Sequence, residues 1–256
     1  MTETAQQYWE GFYQEKDRVW SGNPNPLLVR EATSLTPGTA LDLGCGEGAD
    51  AIWLAERGWQ VTAVDVSETV LRRAAARAPA GITWERHDLS QSFPSGQFDL
   101  VSAQFLHSPV AAPGEREDIL RNASRAVVPG GVLLIMSHSG WPSWVETPPF
   151  EYHFPGTREM VESLALDPEA WEVQVEEVVE RPLTGPDGEP GSRQDSVLRL
   201  RRNWGPLARA EGLPGGHGQE PALADERMAR APQVKPRLGS RLPFAGTCVR
   251  AGTVGR

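Results

Sequence analysis

The sequence predicts a doubly wound α/β domain. Short, nearly continuous apolar segments alternate with helical ones from Thr39 to Ser137. The first of these segments runs straight into a glycine corner, Gly44-Cys45-Gly46. The second ends on an acid, Asp65, 21 residues after Gly44. Apolar strands separated by helices form parallel sheets covered on both faces. Right-handed crossovers make such a sheet open and doubly wound, with its ligand beyond the C-terminal strand ends.

The elements follow in order. Thr4 to Lys16 carries Tyr8, Trp9, Phe12 and Tyr13 at helical spacing and reads as a helix with an aromatic face. Gly22-Asn23-Pro24-Asn25-Pro26 breaks it, and a second helix, Leu27–Leu35, ends before Pro37-Gly38. Thr39–Leu43 is the first strand, followed by a helix over Ala49–Arg57. Gln60–Val64 is the second strand, and Ser67 caps a helix from Glu68 to Ala78. Ile82–Arg86 and Phe98–Phe105 are the third and fourth strands. A helix from Glu115 to Val127 is expected to stop before a Pro129-Gly130-Gly131 turn, with Val132–Ser137 as the fifth strand. After a short helix, Arg158–Ala165, two alternating runs, Trp171–Arg181 and Asp195–Arg202, flank the turn cluster Gly185-Pro186-Asp187-Gly188. They read as an antiparallel hairpin at a sheet edge.

The periodicity stops near Trp204, which sets the expected domain at residues 1–204. The 52 residues from Gly205 hold 9 Gly and 6 Pro, a composition that favours a disordered tail. That tail carries 8 Lys and Arg against 4 Asp and Glu, so its formal charge is +4 and that of residues 1–204 is −13. The whole chain stands at −9, which argues against nucleic-acid backbone as the main partner. No apolar run approaches the ~20 residues that cross a bilayer. MTETAQQYWE is not a basic patch followed by an apolar stretch, so no secretory signal is expected and the location is read as cytoplasmic. Cys45 and Cys248 are the only cysteines, in no zinc-binding pattern, and no metal site is suggested.

Gly44 and Gly46 let the chain turn sharply and let a ligand touch its backbone. Asp65 can accept hydrogen bonds from the ribose hydroxyls of an adenosine, which fits a nicotinamide dinucleotide and S-adenosylmethionine equally well. Asp42 stands two residues before the first glycine, where a carboxylate suits an ammonium or ordered water better than a pyrophosphate. Asp88 closes the third strand and can accept from an adenine amino group.

These residues resemble the class I S-adenosylmethionine-dependent methyltransferases. Asp42-Leu43-Gly44-Cys45-Gly46-Glu47-Gly48 is similar to their acidic–x–G–x–G–x–G motif. Asp65, Asp88 and Phe98-Asp99-Leu100-Val101 fall where the second to fourth motifs stand, and Pro129–Leu133 looks like the usual approach to strand five. Tyr8-Trp9 with Trp20–Pro24 is similar to small-molecule methyltransferases of the tellurite-resistance and thiopurine type. The resemblance implies a seven-stranded sheet of order 3-2-1-4-5-7-6 with strand seven antiparallel. It implies that Gly44, Cys45 and Gly46 line the methionine part of S-adenosylmethionine, that Asp42 orients its amino group, and that Asp65 binds the ribose. Val66 would pack on the adenine, Asp88 and Leu89 would hold its edge, and Gln104 would sit beside the methionine moiety. The acceptor would be a small molecule. His107 is the first candidate for a base, because it follows the end of the fourth strand, and His138 is the second. Trp20, Trp141 and Trp144 are candidates for an apolar lid over the acceptor. The competing readings are a nicotinamide-linked oxidoreductase and a non-catalytic S-adenosylmethionine-binding protein.

Overall fold

A computed structural model describes residues 3–148 and 151–205. The expected disordered tail therefore lies, beyond Gly205, outside the described residues. The elements are α1 (Ala5–Gln14), α2 (Pro26–Ala32), β1 (Thr39–Leu43), α3 (Ala49–Ala55), β2 (Gln60–Asp65), α4 (Glu68–Arg77), β3 (Thr83–Arg86), β4 (Phe98–Gln104), α5 (Glu115–Arg125), β5 (Val127–His138), α6 (Thr157–Ser163), β6 (Trp171–Thr184) and β7 (Pro190–Arg202). They build one seven-stranded sheet in the order β3-β2-β1-β4-β5-β7-β6. The first five strands are parallel, and β7 runs antiparallel to both β5 and β6. The order and the reversed β7 are those the sequence resemblance implied.

The strand alternation divides the core into two layers. Leu41, Leu43, Val101, Leu133, Ile135, Leu198 and Leu200 point to one face, where Leu120 and Ala123 of α5 and Met160 of α6 cover them. Ala40, Ala63, Leu100, Leu134, Met136 and Val197 point to the other face, under Leu27 and Leu28 of α2 and Trp53 and Leu54 of α3. Asp42 shares the side of β1 that Ala40 occupies, since side chains two apart on a strand face the same way.

Helix starts follow their sequence signals. Thr4 and Gln7 form a reciprocal capping box at α1, and the Ser67 hydroxyl accepts from the Val70 N–H at α4. The start of the fifth strand differs from the sequence expectation. β5 begins at Val127, so Pro129-Gly130-Gly131 lies inside the strand and not in a preceding turn. The pairing with β4 jumps from Phe98↔Val127 to Leu100↔Val132, which leaves a bulge on β5. Gly130 takes a left-handed φ of +84°, and a Cβ on Gly131 would stand 3.0 Å from the Asp99 carbonyl oxygen. The bulge absorbs the proline, which has no N–H to give to a ladder. The preceding helix accordingly stops at Arg125, two residues early.

Asp99 anchors the opposite end of the sheet. Its Oδ2 accepts from both the N–H and the hydroxyl of Thr39, each at 2.8 Å. The fourth motif thus holds β1 against β4 at the N-terminal edge, away from the strand ends where ligands bind.

Candidate functional site

The C-terminal ends of β1, β2 and β4 meet around the glycine corner. Gly44 and Gly46 have φ of +67° and +52°, in the left-handed region that favours glycine. A Cβ on Gly44 would come within 2.7 Å of Leu106 Cδ1, which follows β4. The Cys45 N–H donates to the Val64 carbonyl at 2.9 Å and clamps the corner to β2. Desolvation and the carboxylates of Asp65 and Asp42 push the Cys45 thiol up, so it stays protonated.

Asp65 is buried at the end of β2. Its Oδ2 accepts from the Gly46 N–H and its Oδ1 from the Ser67 N–H, both at 3.0 Å. The Val66 N–H also donates to this carboxylate, and one of its oxygens retains a second lone pair. Burial nevertheless raises the pKa of the group, against the backbone hydrogen bonds that favour the charged form. Asp42 is 2 % exposed, and its Oδ2 has no hydrogen-bond partner among the described residues. Burial, with the charges of Asp50 and Asp65 added, pushes its pKa well above the usual carboxylate range. Asp50, in the first turn of α3, accepts from the Asn25 N–H at 2.6 Å, and burial pushes it up to about 6. Three carboxylates thus converge on one corner, and one of their oxygens lacks a donor. A buried, unsatisfied acceptor costs ~1–3 kcal/mol. A cationic ligand with N–H donors would remove that cost, and an anionic pyrophosphate would increase it.

The N-terminal segment covers this corner. The Val19 and Trp20 N–H groups donate to Glu47 at 3.0 and 3.2 Å. Tyr13 is buried, hydrogen-bonded to Trp20, and its phenol pKa is raised by burial and by Asp65. The Tyr13 hydroxyl and Trp20 Nε1 lie 3.2 and 3.4 Å from where a Cβ on Gly46 would stand. Glu10 fastens α1 to the start of α4. It accepts from the hydroxyls of Ser67 and Thr69 at 2.6 and 2.5 Å and from the Thr69 N–H at 3.2 Å. Trp9 Nε1 reaches Ser108, beyond β4, at 3.2 Å.

The remaining sequence candidates divide. Val66 and Leu89 are half-buried, and Leu89 packs against the core. Asp88 Oδ1 accepts from the N–H and hydroxyl of Ser90 at 3.1 and 2.7 Å and so caps its own loop. Gln104 spends its amide on the fold: Oε1 accepts from Asn25 Nδ2 at 2.9 Å, and Nε2 donates to Ser102 at 3.0 Å. The three tryptophans have different neighbours. Trp20 sits at the glycine corner, Trp141 meets Phe154 edge-on at 5.5 Å, and Trp144 packs on Gly191 of β7.

His107 and His138 do come together, with ring centroids 5.7 Å apart and planes within 16°. Neither nitrogen of His107 has a hydrogen-bond partner among the described residues. Burial, then the charges of Arg116, His138 and Arg193, lower its pKa to about 3. His138 Nδ1 bonds Asp195 Oδ1 at 2.8 Å, and Arg181 Nε donates to Asp195 Oδ2 at 2.6 Å. Asn25 and Asp50 at the glycine corner, and Arg116 and Asp195 around the two histidines, are residues that sequence reasoning did not single out. Asn25 had a weak signal as the residue before Pro26, and the others had none.

The strand order, the reversed seventh strand and the acidic glycine corner define a class I methyltransferase architecture. Residues 40–131 match the model of the methyltransferase domain family. Glycine N-methyltransferase of Rattus norvegicus is 31% identical over 175 residues, covering 59% of either chain. A 2-heptyl-1-hydroxyquinolin-4(1H)-one methyltransferase of Mycobacteroides abscessus is 29% identical over 58% of this chain and 72% of its own. A solved structure concerned with conversion of a disulfide bond into a thioacetal group in echinomycin biosynthesis superposes with a TM-score of 0.61. That match is 25% identical and covers 84% of this chain and all of the other. The fold and the domain match over residues 40–131 are similar to those of the class I S-adenosylmethionine-dependent methyltransferases. The chain spans about three fifths of the rat enzyme's length.

Proposed function

We propose that the protein transfers a methyl group from S-adenosylmethionine to a small-molecule acceptor. The observation that carries this reading is the buried Asp42 carboxylate with its unpartnered oxygen, set beside Asp65 at the glycine corner. The donor set fits the cofactor. Asp42 and Asp50 would face its ammonium group, Asp65 would accept from its ribose hydroxyls, and the Gly44–Gly46 backbone would pass close to its methionine part. Val66, Asp88 and Leu89 lie at the strand ends where its adenine would rest, and Asn25 and Gln104, bonded to each other, would brace the wall beside Asp50 on the methionine side.

When bound, the cofactor supplies an electrophilic methyl group on a sulfonium. The chain then has to hold the acceptor in line and exclude water, for which proximity alone is worth several kcal/mol. Tyr13 and Trp20 close the corner from the N-terminal side. The relatives named for glycine and for a hydroxyquinolone support a small acceptor, and the formal charge of −9 goes against a nucleic-acid one. A cytoplasmic location accompanies the reading. Among the described residues no helix is long and apolar enough to cross a membrane.

The test is incubation of the full chain with methyl-labelled S-adenosylmethionine and a panel of phenols, thiols and amines, with NADH as a competitor. Label moves to at least one acceptor class and NADH does not compete. Absence of transfer to every acceptor, or displacement of cofactor by NADH, would refute the proposal.

A further inference from the structure

We propose that His138, oriented by the buried Asp195 of β7, takes the proton from a methyl acceptor that arrives as a neutral aromatic O–H or S–H, a phenol or thiophenol. This rests on the methyl-transfer reading above and adds the acceptor class and a positioning residue.

Asp195 is 0% exposed, and both its oxygens are committed, to His138 and to Arg181. An ionised carboxylate only accepts, so His138 Nδ1 carries the hydrogen and Nε2 keeps its lone pair. Asp195 thereby fixes the tautomer. Burial, with the charges of Arg193 and Arg181, outweighs the Asp195 hydrogen bond and lowers the His138 pKa, so the imidazole is uncharged at neutral pH and Nε2 can take a proton. His138 ends β5, and its ring stacks on Phe105 of the turn after β4, whose Leu106 abuts Gly44; the proposed acceptor lies between this histidine and the glycine corner.

The surroundings select the acceptor. The Phe105 ring lies on His138 at 4.4 Å and 25°, and Phe105 holds a left-handed φ of +52°, strained for an aromatic residue. Phe105, His138 and His107 form a set of near-parallel rings, which a planar acceptor would extend by stacking. Arg116, Arg181 and Arg193 bring three positive charges to the two histidines against the single carboxylate of Asp195. That balance favours an oxygen or sulfur that becomes negative as it reacts, and repels an ammonium. His107 serves as a wall. Burial, with Arg116 and Arg193, leaves it uncharged at neutral pH, and among the described residues it has no orienting partner.

The step balances. The acceptor's O–H or S–H bond breaks, its electron pair stays on the acceptor atom, and the proton moves to His138 Nε2. An acceptor lone pair forms the bond to the methyl carbon as the carbon–sulfur bond of the donor breaks and leaves its pair on sulfur. The proton later passes from His138 to solvent.

The test uses the full chain. Long-range nitrogen–proton NMR without acceptor is expected to find His138 as the Nδ1–H tautomer in the wild type and a mixture in Asp195→Asn. Transfer is then followed along a series of substituted phenols of graded acidity. In His138→Gln and Asp195→Asn the rate should fall ~100-fold or more for a phenol that is neutral at the assay pH, and by less than about threefold for one already ionised. Binding of S-adenosylhomocysteine should be unchanged in both variants. If Asp195→Asn does not fold, the wild-type tautomer and the His138→Gln series decide. An Nε2–H tautomer in the wild type, equal losses along the series, or methylation of amines without phenols or thiophenols would overturn the proposal. Failure of S-adenosylhomocysteine to bind the wild type would overturn the methyl-transfer reading and this one with it. Binding with a contrary tautomer or series would overturn this one alone.

Discussion

Lowering the pH should weaken cofactor binding through Asp50 and Asp42. Burial holds Asp50 at about 6 and raises Asp42 further, so the ligand-free corner takes up protons on the acid side of neutrality. A cationic ligand prefers the ionised carboxylates and returns their pKa values toward the ordinary range. Binding therefore releases protons, and affinity rises with pH. With Asp50 alone titrating near 6, it is about nine-tenths protonated one pH unit lower, so the dissociation constant should be about tenfold higher at pH 5 than at pH 7.5. The contribution to folding has the opposite sign. The folded pKa of Asp50 lies above the ordinary 3.8, so its contribution is whole below that value and is lost as pH rises through about 6. Calorimetry of S-adenosylhomocysteine at pH 6, in buffers of different ionisation heat, measures the released protons. Asp50→Asn should reduce both the proton release and the pH slope. A dissociation constant that is flat from pH 5 to 7.5, or one that falls toward acid, would refute the reasoning.

Asp65→Ala should weaken S-adenosylhomocysteine binding by at least about tenfold, the loss of ~1.4 kcal/mol, and an unchanged constant would remove the ribose assignment. Glu10 is opposed by burial, but hydrogen bonds from Ser67, Thr69 and Gln14 hold its pKa down at about 2. Its contribution to docking α1 is thus whole above the ordinary 4.5 and is lost as pH falls through about 2; an acid titration of tryptophan fluorescence should show this phase, and Glu10→Gln should not. Leu134→Ala empties a site with 0% exposure at the centre of the sheet and should cost ~2–5 kcal/mol by denaturant unfolding, with no change of strand content by circular dichroism.

The sheet was legible because each strand announces itself locally. Thr39–Leu43 is apolar, is followed by glycines, and matches β1 to the residue. Thr4 and Ser67 mark helix starts by chemistry that acts over three residues. The beginning of β5 was hidden because Pro129 is a breaker in most settings, and whether a bulge absorbs it depends on the neighbouring strand. The cofactor corner was legible as a motif, since Asp42, Gly44, Gly46 and Asp65 meet through two adjacent parallel strands. The acceptor side was not. Asp195 meets His138 across 57 residues of sequence, and Asn25 meets Gln104 across 79. Neither acid nor amide has any local signal for its partner. Gln104 and Asp88 show the converse, since groups read as ligand contacts make hydrogen bonds within the fold.

The most direct test is calorimetric titration of the full chain and of the double variant Asp42→Asn, Asp65→Asn with S-adenosylhomocysteine. The wild type should bind one equivalent, and the double variant should bind ~100-fold more weakly or worse while keeping its unfolding midpoint within a few degrees. Equal binding by the two proteins, or no heat from a folded wild type, would contradict a cofactor site built on those carboxylates.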